Sequence, residues 1–402
     1  MRSIQRRFKH AALIAAGCAF FALAAAPAAV YAADTLRPEV GKPLNDAQNL
    51  YRAHKYKEAL AKIAQAAAVS GKTPYETYMV EEMRGAAAMA AGDTGLAAQA
   101  YESLLNGGKL QGEDEQRVTA SLAGIYFQER NYPRAIVTAQ RYLKAGGSDP
   151  QMRTMLVQSY YLSNDCASVV NLLKPGIDAQ TKAGHAPDES QLQLLGTCAQ
   201  RTKNEAAYRG ALEALVAYHP KQSYWDDLLS AIRNKPGYSS RLDIDTYRLR
   251  RATGALTTPD DYMEMTQLAL VAGSPAEAKQ VIDQGFSSGV LGKDPKTADR
   301  EKRLQALAGK KAAAGVDKAN PPQPIDQGLN LVFAGQTKDG LSMMETAIAG
   351  GKLTHPDQAQ LHLGVAYYFA GQKSRAVQAF RAVKGADGSS DLARLWLLVA
   401  SK

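Results

Sequence analysis

Cysteine, histidine and aromatic residues are all scarce in this 402-residue chain, which has three Cys, six His, two Trp and eight Phe, with aromatics at 7%. Each scarcity excludes something. The cysteines lack flanking histidine pairs at zinc spacing, which argues against a structural zinc site. So few aromatics make poor material for a β-sheet, whereas abundant Ala suits closely packed helices. No GxSxG, HExxH or post-strand GxGxxG occurs, and the GGKL phrases at 107–110 and 350–353 lack the first Gly and the hydroxyl of a phosphate loop. These glycines read instead as helix stops. His355 and His362 are separated by Pro356, which begins a new helix, so they do not share a metal. The paired acids Asp226 and Asp227, and Asp260 and Asp261, fall at helix starts, where they complement the helix dipole. No enzyme, cofactor or metal is expected.

An excess of positive charge is present, +9 overall, but much of it lies in the first 32 residues, where Arg2, Arg6, Arg7 and Lys9 meet no acid. That basic start, the apolar run Ala11–Ala26 and the small residues up to Ala32 form a secretory signal, cleaved after Ala32. The apolar run has 16 residues and stops at Pro27, short of the roughly 20 needed to span a bilayer. Lipidation at Cys18 is the weaker alternative, because the apolar run continues beyond that cysteine. No later stretch is apolar enough to cross a membrane. The mature 370 residues carry +5, with no basic–aromatic interleaving, so nucleic acid is not an expected partner. Export predicts a periplasmic location and an oxidising environment for Cys166 and Cys198. A single disulfide and two buried thiols both remain open for them.

The organising feature is a repeat. AQNLYRAHKYKEALAKIAQA at 47–66, GAAAMAAGDTGLAAQAYESL at 85–104, AGIYFQERNYPRAIVTAQRY at 123–142 and GVAYYFAGQKSRAVQAFRAV at 364–383 share one pattern. Apolar residues recur at helical spacing, a tight polar turn follows, and a second helix opens near a small residue. The spacing predicts an all-α fold of stacked antiparallel hairpins, an α-solenoid. The phrases resemble the tetratricopeptide repeat (TPR) family. Its small first-helix residue corresponds to Ala47, Gly85, Ala123, Gly196, Gly328 and Gly364, and its second-helix Ala to Ala59, Ala97, Ala135, Val169, Tyr208, Ala278, Gly340 and Ala376. Short side chains at both points let helix axes approach to about 8–10 Å. Val169, Tyr208 and Gly340 depart from the pattern, so their hairpins are expected to pack differently.

Two intervals between second-helix positions are nearly double, 70 and 62 residues. The first predicts a degenerate unit over 223–254. The second predicts a helix near 297–314 and then the DKANPPQP linker. The expected organisation is a linker at 33–42, a main solenoid at 43–290, a connector at 291–324, and a C-terminal pair with a capping helix at 325–402. Trp396 of that helix is expected to pack on the last repeat. SSRLDIDTYRLRR at 239–251 reads as a solvated helix with internal ion pairs, with an acidic partner or a lipid phosphate as the alternative.

The YHPKQSYW and TPDDYMEMTQLAL segments, with the Ala-rich array, resemble periplasmic repeat proteins of Gram-negative bacteria. The TPR resemblance implies that residues four and five positions after the small first-helix residue line the concave groove. These include Tyr51, Arg52, Met89, Phe127, Gln128, Tyr161, Arg201 and Tyr368. The row is mostly apolar and lacks the Lys and Asn clamp some relatives use for a terminal carboxylate. It implies an extended peptide or helix as ligand, hence a scaffold for cell-envelope proteins. A cell-wall or exported glycan is the second reading, since aromatic platforms also suit sugars.

Overall fold

The computed structural model describes residues 35–314 and 323–401. The expected signal segment with Cys18, residues 315–322 of the linker, and Lys402 lie outside the described residues. Among the described residues every regular element is helical, twenty α-helices and one 3-10 turn. The described residues form two compact units, divided between Leu172 and Leu173, so the expected main solenoid is shared between them.

In the first unit α1 (Pro38–Arg52) pairs with α2 (Tyr56–Ala67), α3 (Pro74–Ala91) with α4 (Thr94–Asn106), and α5 (Gly112–Gln128) with α6 (Tyr132–Lys144), and α7 (Pro150–Leu162) follows on α6. The helix α8 (Cys166–Lys182) runs across the division. Helix starts follow local chemistry. Pro opens α1, α3 and α7, and the Asp93, Asn131 and Asp149 side chains cap α4, α6 and α7. Thr73 and Glu76 form a reciprocal capping box, and the buried Glu76 carboxylate also accepts from the Arg37 backbone N–H at 3.0 Å and from Arg37 Nε at 2.9 Å. These bonds, those to the Arg37 side chain foremost, hold the carboxyl down to about 2. Between paired helices one residue turns left-handed. It is Gly92 in one hairpin, but His54, Arg130 and Lys203 in others, so glycine is not needed for the stop.

In the second unit the hairpins are α9 (Glu189–Arg201) with α10 (Glu205–Tyr218), α13 (Pro259–Val271) with α14 (Pro275–Ser287), α16 (Pro324–Phe333) with α17 (Thr337–Ala349), and α18 (Pro356–Phe369) with α19 (Lys373–Ala382). The connector helix α15 (Ala298–Ala314) lies on α14, and α16 also packs on α14. The expected degenerate unit comprises α11 (Gln222–Arg233), the 3-10 turn Ser240–Leu242 and α12 (Asp243–Ala252), and its two helices touch only lightly. The last helix, α20 (Ser389–Ala400), covers α18 and α19 and packs against α12. Trp396 is fully buried there, stacked on Phe380 at 5.5 Å and edge-on to Tyr368 at 5.0 Å.

Small residues set the hairpin spacing. A Cβ on Gly85 would lie 2.3 Å from the Tyr101 ring, and one on Gly364 would lie 2.4 Å from the Phe380 ring. The departures from the pattern have distinct causes. Gly328 and Gly340 face each other so closely that a Cβ on either would meet the other's carbonyl oxygen, at 2.7 and 2.4 Å. In the α9–α10 hairpin the contact shifts along the helix, and Gly196 faces Ala211, with Tyr208 at the edge.

The charged stretch 239–251 is not a solvated helix. Asp245 and Arg248 are completely buried, as is Glu277. Arg248 donates through Nε and Nη2 to Glu277 at 3.0 and 2.7 Å, and through Nη1 to Asp245 Oδ1 at 2.9 Å. His362 of α18 donates through Nε2 to Asp245 Oδ2 at 3.1 Å, while its Nδ1 stands 3.6 Å from Asp326 Oδ1 of α16, beyond hydrogen-bond reach. Arg248 Nη1 lies 3.2 Å from the same Nε2, so two donors converge on one carboxylate. Burial opposes a charged His362, but attraction and hydrogen bonding to Asp245 outweigh it and push the imidazole up to about 9. Burial likewise opposes ionised Asp245, yet His362 and Arg248 hold that carboxyl below its usual range. With His362 protonated, two cations balance Asp245 and Glu277 across α12, α14 and α18. Periodicity does not reveal this, because a charged residue on a helix defaults to the solvent side, and the partners Glu277 and His362 are remote in sequence.

Gly328→Ala is expected to destabilise the second unit by about 1–3 kcal/mol, because the obstructing atom is backbone. Gly124→Ala, where nothing lies within 4 Å of an added Cβ, is expected to stabilise by roughly 0.5–1 kcal/mol. Urea unfolding of both variants checks the contrast. The raised His362 value means that its contribution is complete below about 6.5 and is lost as pH rises through about 9. The melting temperature should therefore fall over that window, and His362→Gln should flatten the fall. Arg248→Met should cost about 3–5 kcal/mol by leaving the buried Glu277 carboxylate unpaired and Asp245 with His362 alone.

Candidate functional site

The implied groove residues occupy a recurring register. Tyr51, Arg52, Met89, Phe127, Gln128 and Tyr161 all fall in the last turn of a first helix in the first unit, and Arg201 and Tyr368 do so in the second. Exposure separates them. Met89 is 37% exposed, and its neighbour in register, Leu162, is 50% exposed. Arg52, Gln128 and Arg201 are exposed, whereas Tyr51, Phe127, Tyr161 and Tyr368 are half-buried. The aromatic side chains spend much of their surface inside their own repeats. Tyr51 meets Tyr56 at 5.3 Å and Phe127 meets Tyr132 at 5.9 Å, both edge-on across the hairpin turn. Phe127 also packs on two of the core clusters, and Tyr368 packs on Phe369 and Trp396. First helices neighbour one another, α1 with α3 and α5 with α7, so this register repeats along one face of the first unit.

A different surface, not anticipated from the sequence, lies in the second unit. Because α11 and α12 do not close on each other, a cleft of about 630 Å³ opens between them. Arg250 crosses its floor, paired with both Asp226 and Asp261, and its guanidinium lies 5.6 Å from the Tyr247 ring centre. Asp261 is itself fixed in the Thr258 capping box of α13. On the opposite wall Asp243 accepts from the Tyr238 hydroxyl at 3.2 Å, and Arg233 Nε stands 3.4 Å from the same carboxylate oxygen. Burial pushes the Tyr238 phenol well above its usual value, and the neighbouring Asp243 adds to this, so it stays a hydrogen-bond donor.

The loop carrying Tyr238 is held from behind by the C-terminal segment. Lys235 Nζ pairs with Asp391 at 2.6 Å, the Ser239 backbone N–H donates to the Asp387 carbonyl at 2.9 Å, and Arg241 pairs with Asp387 at 3.1 Å. Gly388 makes room for the Tyr238 ring, which would lie 2.6 Å from a Cβ there. The nearly doubled repeat interval was the available signal for this cleft, because a hairpin without small contact residues cannot close.

Among the described residues no group of three or more His, Cys, Asp and Glu is placed to hold a metal ion, and no helix is long and apolar enough to cross a membrane. In the buried cluster of Asp245, Glu277 and His362, Arg248 stands among the three side chains. Cys166 and Cys198 are both buried and disulfide-bonded.

No protein-family profile matches the chain, and no curated protein matches it. Similar solved structures include Naa15/Naa10 bound to HypK-THB, at 16% identity and a TM-score of 0.32, covering 89% of this chain and 60% of that one. The TPR domain of P58(IPK) is 12% identical with a TM-score of 0.24, covering 90% of this chain and 97% of that one. Yeast Tom70 is 11% identical with a TM-score of 0.25, covering 90% and 95%. This chain thus spans about three-fifths of the first of these, and likeness at this level carries no argument about function.

Proposed function

We propose that this protein is a non-catalytic scaffold of the cell envelope whose first unit captures an extended peptide or helix of a partner protein. The observation that carries the reading is the repeated last-turn register, where Met89 and Leu162 offer apolar surface at equivalent ends of two first helices, with Tyr51, Phe127 and Tyr161 at the same level. Evenly spaced apolar anchors on a repeat face suit a partner that is itself extended or helical. The stacked hairpins of the first unit are what this reading requires of such a face.

An envelope location is supported by the basic, apolar and small-residue order of residues 1–32 and by the disulfide-bonded state of both described cysteines. Chain recovered from the envelope, denatured without reductant and titrated for thiols, is expected to show no free thiol at Cys166 or Cys198. Two free thiols would remove this support.

Partner capture is tested by photo-crosslinking in cells from positions 89 and 162, with position 137 as the control. Val137 is 67% exposed but lies on α6, a second helix, outside the register. Discrete protein adducts are expected from 89 and 162 and absent from 137. Met89→Asp with Leu162→Asp should keep full helicity and weaken capture roughly tenfold or more, as loss of two interface anchors does. Identical adducts from all three positions would refute a register-specific groove.

A further inference from the structure

We infer that the cleft between α11 and α12 is a binding site for a short, neutral oligosaccharide. Its volume of about 630 Å³ falls within the roughly 300–1,000 Å³ of small-ligand sites. The lining is polar, which disfavours an apolar ligand. It also balances in charge, since Arg233 and Arg250 are matched by Asp226 and Asp243, and neither a free anion nor a free cation gains a net field there.

What such a surface does offer is donors and acceptors at close intervals. Arginine presents donors in a planar fork and carboxylates present acceptors, while Ser230 and Asn234 at the rim add groups of both kinds. Adjacent sugar hydroxyls are each donor and acceptor, so they can satisfy this mixed array, whereas a phosphate is chiefly an acceptor and brings a net negative charge against the Asp226 and Asp243 carboxylates. A pyranose also has apolar C–H faces, and the rings of Tyr238 and Tyr247 supply apolar patches for them.

The polar groups are held before any ligand arrives. Arg250 is braced by Asp226 and Asp261, Asp243 by Tyr238 and Arg233, and the Tyr238 loop by Asp387 and Asp391. Bracing of this kind lowers the ordering cost of binding, which matters for a ligand whose hydrogen bonds largely replace those to water. The site is independent of the peptide-binding register, because it lies wholly within the second unit.

The test uses the full mature chain on an array of neutral and acidic oligosaccharides, including β-linked glucose and N-acetylglucosamine tetramers, with calorimetric titration of whichever is retained and of inorganic phosphate. Two variants accompany it. Ser230→Trp fills the cleft from an exposed rim position and should leave the fold intact, and Asp226→Asn keeps the shape while removing one charged acceptor. Retention of at least one neutral oligosaccharide is expected, abolished by Ser230→Trp and weakened about tenfold by Asp226→Asn, the loss typical of a hydrogen bond to a charged group. The inference is overturned if no neutral oligosaccharide is retained, if retention survives Ser230→Trp, or if phosphate alone binds and Ser230→Trp removes it.

Discussion

Most of the described hairpins close where a side chain is short or absent, and the architecture follows from that constraint. Ala47, Ala59, Ala97, Ala123 and Ala135 are completely buried, and in the α16–α17 hairpin two glycines meet backbone to backbone. Short contacts let whole helices pack through many small dispersion gains without large aromatic side chains. This explains how a chain with so few Phe and Trp residues builds extensive cores. The few aromatics present are placed where a repeat needs a lid or a plug, as Tyr101 lies over Gly85 and Phe380 over Gly364.

Where the small residues run out, other forces take over. The α11–α12 pair has no such contact and is held instead by its surroundings. Arg248 and Asp245 of α12 reach Glu277 and His362 on other helices, and the C-terminal segment returns to pair with Lys235, Arg241 and Glu213. Buried ion pairs of this kind add less stability than their geometry suggests, because desolvation offsets much of the attraction. They are demanding about position, however, since a misplaced helix would leave a buried charge alone. The cluster therefore specifies how α12, α14 and α18 meet, and apolar contacts supply most of the adhesion.

This division of labour leaves the two units with different surfaces. The first is regular, and its repeated register sets similar positions along one face. The second is irregular, and its open pair creates a polar, braced cleft. A peptide groove and a sugar site place opposite demands on a surface, one wanting apolar anchors and the other wanting fixed donors and acceptors. Here the regular face and the open polar cleft arise from the presence and the loss of the same packing rule.

The helical class and the hairpin pattern were legible in the chain itself, because they depend on local chemistry. The Pro and Asp starts, the apolar spacing and the small residues at 85, 328 and 364 each act within a single hairpin, as Gly85 meets Tyr101 and Gly328 meets Gly340. The last-turn register of Met89 and Phe127 was legible for the same reason, but not their unequal exposure, which depends on whether Tyr132 or another neighbour covers the side chain. Nothing local showed that Asp245 and Arg248 would be buried, that Gly196 would face Ala211 instead of Tyr208, or that α20 would return to brace the Tyr238 loop. Those outcomes rest on partners 15 to 156 residues away, such as Ala211 for Gly196 and Asp391 for Lys235. Periodicity records which face of a helix is apolar, but only the folded arrangement decides which charged residue finds a counter-charge inside and which hairpin stays open.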